Sequence, residues 1–303
     1  MPAPVVLRAS AKINLTLRVG SRRPDGYHEV GTLLQSIALS DTLTCTVRRG
    51  PFVLVSRSLD VPTDRTNLVW RAADVLWRAL GRAGEARGTR VELQKSIPVA
   101  SGLGGGSADA AAALIGLNRL WRGKLPLVEL IALAATLGAD VPFFLHGGTA
   151  LGLARGEELY PVDDVRRLDL VVVTPSFGIA AADAYRWLDE DRAHQLASSQ
   201  VHRLTGSPAH RLLDVGWPTG PLTMGNDLEA PVSHRYPEIA GIIEAARQAG
   251  ATAAAMTGSG SAVFAVFPAA EIHRAVRRLA RPGWRVLATS TLSRRAARRR
   301  LGL

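Results

Sequence analysis

The run Pro98-Val99-Ala100-Ser101-Gly102-Leu103-Gly104-Gly105-Gly106-Ser107-Ala108-Asp109 constrains this chain more than any other segment. Four glycines in five positions cost more chain entropy than a bare turn would warrant. The run lies between a strand-like alternation over residues 90–95 and an alanine-rich helical segment over residues 108–120. Strand, glycine loop and helix together build an anion site. Without Cβ atoms, backbone N–H groups can approach an oxygen-rich ligand, and the free N–H groups of the helix start add partial positive charge. A nucleotide phosphate is the ligand that this arrangement fits.

The common nucleotide loops do not match. A P-loop has lysine and a hydroxyl residue after its last glycine, whereas Ser107-Ala108 follows Gly106 here. A dinucleotide-binding turn needs its third glycine two residues later and an acid about 20 residues on, at a strand end. The nearest acid, Glu129, falls in a helical pattern. The lysine and Asp-Phe-Gly segments of protein kinases are missing.

The run resembles the second motif of the galactokinase, homoserine kinase, mevalonate kinase and phosphomevalonate kinase superfamily. Two further segments match it in order: Ala11-Lys12-Ile13-Asn14-Leu15-Thr16-Leu17, and Met256-Thr257-Gly258-Ser259-Gly260-Ser261-Ala262-Val263-Phe264. Within the superfamily, Arg23-Pro24-Asp25-Gly26-Tyr27-His28-Glu29 and Gly138-Ala139-Asp140-Val141-Pro142-Phe143-Phe144 are similar to segments of the branch that acts on a cytidine-diphosphate-linked methylerythritol. The resemblance implies ATP-dependent phosphorylation of that substrate's 2-hydroxyl, a step of non-mevalonate isoprenoid synthesis, with Mg²⁺ accompanying ATP. It implies an ATP site built from Lys95, residues 98–108 (Pro98 to Ala108), Thr257, Gly258 and Ser259. Asp140 becomes the catalytic base, with Lys12 beside it to offset charge on the transferred group. On the residues alone, Asp140 could equally cap the short segment that follows it. Tyr27 would stack on cytosine and His28 would bond to its edge. Tyr185 is favoured over Phe177 as a second aromatic partner. Asn14, two residues from Lys12 on an alternating strand, shares its face and becomes a substrate contact. The superfamily's second serine in the glycine run is glycine here, so the metal ligands stay unknown and Ser107 is a candidate hydroxyl.

The bulk properties agree with such an enzyme. Of 37 lysines and arginines only Lys12, Lys95 and Lys124 are lysine, and two of these three fall in or beside the motifs. A net charge of +11 draws anions. Nucleic-acid binding would call for clustered charge and interleaved aromatics, but the arginines are scattered and aromatics make up 5%. The expectation is therefore small-molecule partners only, with no nucleic acid and no membrane. The apolar runs are too short to span a bilayer, and no leader segment is read. The single cysteine, Cys45, allows no internal disulfide, in keeping with a cytoplasmic protein. No His/Cys cluster suggests zinc. The oligomeric state is not readable.

Strand-like alternation falls at residues 5–9, 13–19, 32–39, 43–48 and 91–94, and helical spacing at 67–80, 127–137, 180–188, 237–249 and 272–279. Further strands are expected at 148–154, 168–174, 251–257, 262–267 and 284–289, and the 127–137 helix is expected to end at Gly138, a typical C′ residue. Mixed elements in both halves indicate an α+β fold. The resemblance sharpens this into a two-domain small-molecule kinase fold. An ATP-binding half, residues 1–160, resembles ribosomal protein S5 domain 2, and residues 161–303 form a ferredoxin-like, substrate-binding half. The five arginines of residues 294–300 read as a solvated or frayed helix end.

Overall fold

The computed structural model describes residues 3–195 and 223–303. It is an α+β fold built on two sheets. The first has the strand order β3-β4-β2-β1-β8, with β5 and β6 branching from β2. Its long members are β1 (Val5–Arg22) and β2 (His28–Pro51), which pair antiparallel. Both are single strands where the alternation pattern gives two pieces each. The reason lies in the register shifts between Ser10 and Lys12 and between Asn14 and Thr16, which break the period of two that pattern reading relies on. The other members are β3 (Val53–Ser56), β4 (Arg87–Gln94), β5 (Thr149–Leu153), β6 (Glu158–Pro161) and β8 (Gly225–Asn226). The second sheet has the antiparallel order β11-β7-β10-β9, from β7 (Asp169–Pro175), β9 (Ala253–Met256), β10 (Val263–Phe267) and β11 (Trp284–Ser290).

Helices α1 (Leu68–Ala79), α2 (Gly105–Leu120), α3 (Leu127–Leu137) and α4 (Val141–His146) accompany the first sheet. Asn67 caps α1, its side chain accepting from the Val69 N–H. The alanine run of α2 has a packing purpose. Ala110 to Ala113 are fully buried, and a Cβ on Gly116 would stand 2.6 Å from Leu7 Cδ1. Small side chains let this helix lie close against β1 and β2. Helix α3 ends at Gly138, as expected from sequence, and the glycine leaves it in extended backbone with φ 167°.

Three apolar clusters form the core. One lies between the first sheet and α1–α4, and one under the second sheet with α5 (Ala181–Gln195) and the Pro237–Gln248 helix. The third joins Ala11, Ile13 and Leu15 of β1 to Leu170, Val172 and Phe264 of the second sheet. The two halves therefore share a core. Asn226 of β8 and Asp227 just after it strengthen the seam. Arg18 binds Asp227 at 2.8 Å, and Asn226 braces the backbone of Met256 and Gly258.

The arginine-rich segment departs from its expected solvated state. Residues Arg294–Arg300 form a helix capped by Ser293 and docked on the first sheet. Ala297 and Leu301 are buried. Arg294 donates to the carbonyls of Thr149 and Val162 at 2.9 and 2.8 Å, and Arg300 donates to that of Ala38 at 2.7 Å. The planar guanidinium supplies several donors at once, so charge here serves anchoring. Truncating Arg294→Ala removes two donor contacts, one to the Thr149 carbonyl, which still accepts from the Val162 N–H, and one to the exposed Val162 carbonyl, and should cost about 0.5–1.5 kcal/mol of stability. Urea unfolding measures this, and an unchanged midpoint would mean that the Arg294 contacts contribute nothing to the fold.

Candidate active site

The glycine run enters α2 through Gly104, whose φ of +71° is left-handed and whose lack of a side chain leaves the helix start uncapped. The first-turn amides are thus available to an anion. A Cβ on Gly104 would come 2.7 Å from Phe144 Cζ and 3.1 Å from Lys12 Cγ. The loop must be glycine here both for its backbone angle and for its neighbours. Ala100 adopts φ +53° despite its Cβ, so the loop holds some strain. Residues 98–107 line a cavity of about 360 Å³, closed on its other side by residues 60–62 and 66–68.

The turn at residues 256–261 packs backbone against backbone on this loop. A Cβ on Gly102 would stand 2.4 Å from the Thr257 carbonyl oxygen, and the Ala262 N–H donates to the Ser101 carbonyl at 3.0 Å. Thr257 is fully buried, and its hydroxyl accepts from the Asn14 backbone N–H at 2.9 Å. Three segments distant in sequence thus meet at one point. Among the described residues Ser259 makes no side-chain hydrogen bond.

Lys12 ties the point together. It is buried, its backbone N–H donates to the Leu103 carbonyl, and its ammonium donates to Asn14 Oδ1 at 2.7 Å. Asn14 Nδ2 in turn donates to the Thr32 hydroxyl, so Asn14 is engaged on both sides and orients the lysine. The ammonium lies 3.8 Å from Asp140 Oδ2. Burial pulls the Lys12 pKa below its ordinary value, and the Asp140 charge acts in the opposite direction. Asp140 precedes α4 at the cap position, yet its side chain makes no capping bond and is 41% exposed. The capping alternative is therefore absent, and the carboxylate is free to act on a neighbour.

Lys95 is held differently. Its ammonium donates to Asp41 at 2.5 Å and to Asp109 at 2.7 Å at the wall of the cavity. Asp41 also accepts from the backbone N–H groups of Ser96 and Ile97, fixing the strand that leads into the loop. One cation between two buried carboxylates neutralises one of them. Burial, only partly offset by Lys95, raises the Asp109 pKa from 3.8 to about 8. Spacing gives no hint of this triad, because Asp41 joins from 54 residues away.

Tyr27 is 58% exposed on its turn, with the Arg155 guanidinium 5.1 Å above its ring. His28 is buried and stacked on Tyr185, with centroids 5.3 Å apart. Phe177 stacks instead on Tyr236. Burial, with the Asp140 charge adding to it, raises the Tyr185 phenol to about 12, which keeps it a neutral donor. Asp189, Arg155 and Asp41 join the site without any sequence signal.

The GHMP kinase N-terminal domain family matches residues 67–148, and the GHMP kinase C-terminal family matches residues 208–283. The chain is 43% identical over 268 residues to the 4-diphosphocytidyl-2-C-methyl-D-erythritol kinase of Nocardia farcinica, covering 86% of this chain and 84% of the relative. It is 42% identical over 291 residues to the enzyme of that name from Pelotomaculum thermopropionicum, covering 95% and 98%. A crystal structure of 4-(cytidine 5'-diphospho)-2C-methyl-D-erythritol kinase superposes with a TM-score of 0.76 at 33% identity, over 95% of this chain and 99% of that one.

Two outcomes follow from the loop geometry. Gly104→Val should weaken binding of a nucleoside triphosphate on folded protein, because the branched side chain meets Phe144 and Lys12 and demands a disfavoured φ; calorimetry reads it, and an unchanged dissociation constant would remove the loop from the phosphate site. For Asp109, the folded state keeps a proton that the unfolded chain releases near pH 3.8. Stability should therefore fall as pH rises from about 4 to about 8. Asp109→Asn, which still accepts from Lys95, should flatten that decline in a pH series of urea melts. Parallel wild-type and variant profiles would contradict it.

Proposed function

Because the chain belongs to the GHMP kinases and, within them, to the family of 4-diphosphocytidyl-2-C-methyl-D-erythritol kinases, we propose that it transfers the γ-phosphoryl group of ATP to the 2-hydroxyl of 4-diphosphocytidyl-2-C-methyl-D-erythritol. The product is the 2-phosphate, with ADP released, in non-mevalonate isoprenoid precursor synthesis. One observation carries the reading: Lys12 touches the glycine loop at one end and faces Asp140 at the other. It joins the phosphate-binding backbone to a carboxylate able to take a proton.

In this mechanism the ATP phosphates lie along Gly104–Ser107 and the amides of α2. Asp140 accepts the proton of the 2-hydroxyl as its oxygen attacks the γ-phosphorus and the bond to the ADP oxygen breaks. Lys12, held by Asn14, offsets the charge that spreads over the transferred group. Thr257 and Gly258 hold the loop from behind. Lys95 acts as a structural cation of the ATP site and makes its contacts through Asp41 and Asp109. Tyr27 offers cytosine the face that Arg155 does not cover, with His28 at the base edge and Tyr185 behind the imidazole. Residues 1–160 thus carry ATP, and residues 161–303 complete the acceptor side.

Mg²⁺ fits these residues as an ion carried by the nucleotide. Among the described residues no group of three or more His, Cys, Asp or Glu forms a cage. Magnesium usually reaches such sites on phosphates, with one or two carboxylates and water. Asp109 Oδ1 is buried without a hydrogen-bond partner, and Ser107 lines the same cavity, so these two oxygens would hold it, with the ion's charge displacing the proton that Asp109 otherwise keeps. When bound, the ion would neutralise phosphate charge. Among the described residues no helix is long and apolar enough to cross a membrane. A cytoplasmic place of action goes with the reading, since ATP is supplied there.

The direct assay is ADP release with ATP and the cytidine substrate, against homoserine and mevalonate as alternative acceptors. Asp140→Asn should lower turnover by about 10²–10⁴-fold and leave the ATP dissociation constant nearly unchanged. Wild-type turnover in this variant would end the assignment of the base.

A further inference from the structure

The α5 face turned toward the Tyr27–His28 turn carries more than an aromatic ring. Tyr185 and Asp189 are four residues apart and so project from one side of the helix. Tyr185 stacks on the His28 imidazole with an interplanar angle of 20°. Asp189 Oδ1 lies 2.8 Å from His28 Nε2. A turn further on, Arg192 donates to the carbonyls of Val19 and Gly20, which fastens the helix to β1 and fixes the carboxylate's position. The imidazole is therefore held by one face and by one nitrogen. Its other nitrogen, Nδ1, makes no hydrogen bond among the described residues.

An ionised carboxylate only accepts, so the nitrogen that faces it carries the proton. In the neutral ring the remaining nitrogen is then an acceptor lone pair. Cytosine presents an amine donor at its C4 position, whereas the uracil ring carries a carbonyl acceptor there. A lone pair on Nδ1 pairs with the first and opposes the second. A histidine free to choose its tautomer would accommodate both.

We propose that Asp189 is the positioning residue that makes this site choose cytosine over uracil, by holding the proton of His28 on Nε2 and leaving Nδ1 to accept from the base. The inference rests on the reading that the cytidine of the acceptor lies at the Tyr27–His28 turn. Asp189 does not touch the base; it acts through His28. Its side chain is 41% exposed, so truncation leaves no cavity in the core.

Two measurements test it. Long-range ¹H–¹⁵N correlation spectra of the wild-type protein should show the neutral His28 ring protonated at Nε2 and bare at Nδ1. Steady-state kinetics with the cytidine substrate and its uridine counterpart should show a strong cytidine preference in the wild type. Asp189→Ala should erode that preference by about 10- to 100-fold, as an unenforced hydrogen bond would, through KM for the acceptor. A spectrum with the proton on Nδ1 would overturn the proposal. So would an Asp189→Ala enzyme that keeps the wild-type cytidine-to-uridine ratio while His28→Ala abolishes it. If His28→Ala itself keeps that ratio, the base is bound elsewhere, and the acceptor-site reading falls together with this one.

Discussion

A buried ammonium is costly unless its surroundings satisfy it, and Lys12 organises the site because its surroundings do. Asn14 accepts from it, Asp140 faces it, and its own backbone is bonded to the glycine loop. Each partner is itself tied down: Asn14 by Thr32 and Thr257, the loop by the turn at residues 256–261. Moving any one of these segments leaves a charge in the interior without its complement. Between the two register shifts of β1 the pairing is regular from Lys12 to Asn14, so alternation sets the lysine and the asparagine on one face and Ile13 on the other, in the core.

A second cation works by the opposite arrangement. Lys95 has two carboxylates, both buried, and it fixes where the strand ends and the loop begins. Lys12 has one amide oxygen in bonding distance and a single carboxylate 3.8 Å away, whereas Lys95 is bonded to two carboxylates and serves architecture. Both are lysines in a chain that otherwise uses arginine. A compact ammonium fits between oxygens where a planar guanidinium would not. The arginines are used where planarity helps: over the Tyr27 ring, across helix α5 to β1, and along the carbonyls that receive the Arg294–Arg300 helix.

Much of this was legible in the chain. The glycine run, Lys12 and Asp140 are readable because their chemistry sits within short local motifs, α1 because its apolar residues recur at helical spacing, and α2 because an alanine-rich run follows the glycines. What was not legible depends on distance. Asp41, Asp109 and Asp189 are ordinary acids until the fold sets each beside a cation or an imidazole, and their partners are 54, 14 and 161 positions away. The β1 and β2 strands were read short because bulges interrupt alternation. The arginine-rich helix was misread because charge dominated its composition, while Ala297 and Leu301, spaced one turn apart, carried the packing. The Glu158–Pro161 strand is hidden in a polar stretch because it lies at a sheet edge, where a partner on one side suffices.

The seam between the halves has a consequence for synthesis. Strand β1 finds its parallel neighbour only at Gly225–Asn226, and Arg18 meets Asp227 across 209 positions. On the ribosome, the first sheet can form early, but the edge of β1 at Thr16 and Leu17 then stays open while most of the chain is still being made. An unpaired strand edge flanked by apolar side chains is a template for pairing with other chains. The nascent protein would thus expose this stretch of edge until residues 225–227 have been made. Slow translation of the second half, or crowding of nascent chains, would be expected to reduce the yield of folded enzyme before any effect on the finished molecule could be felt.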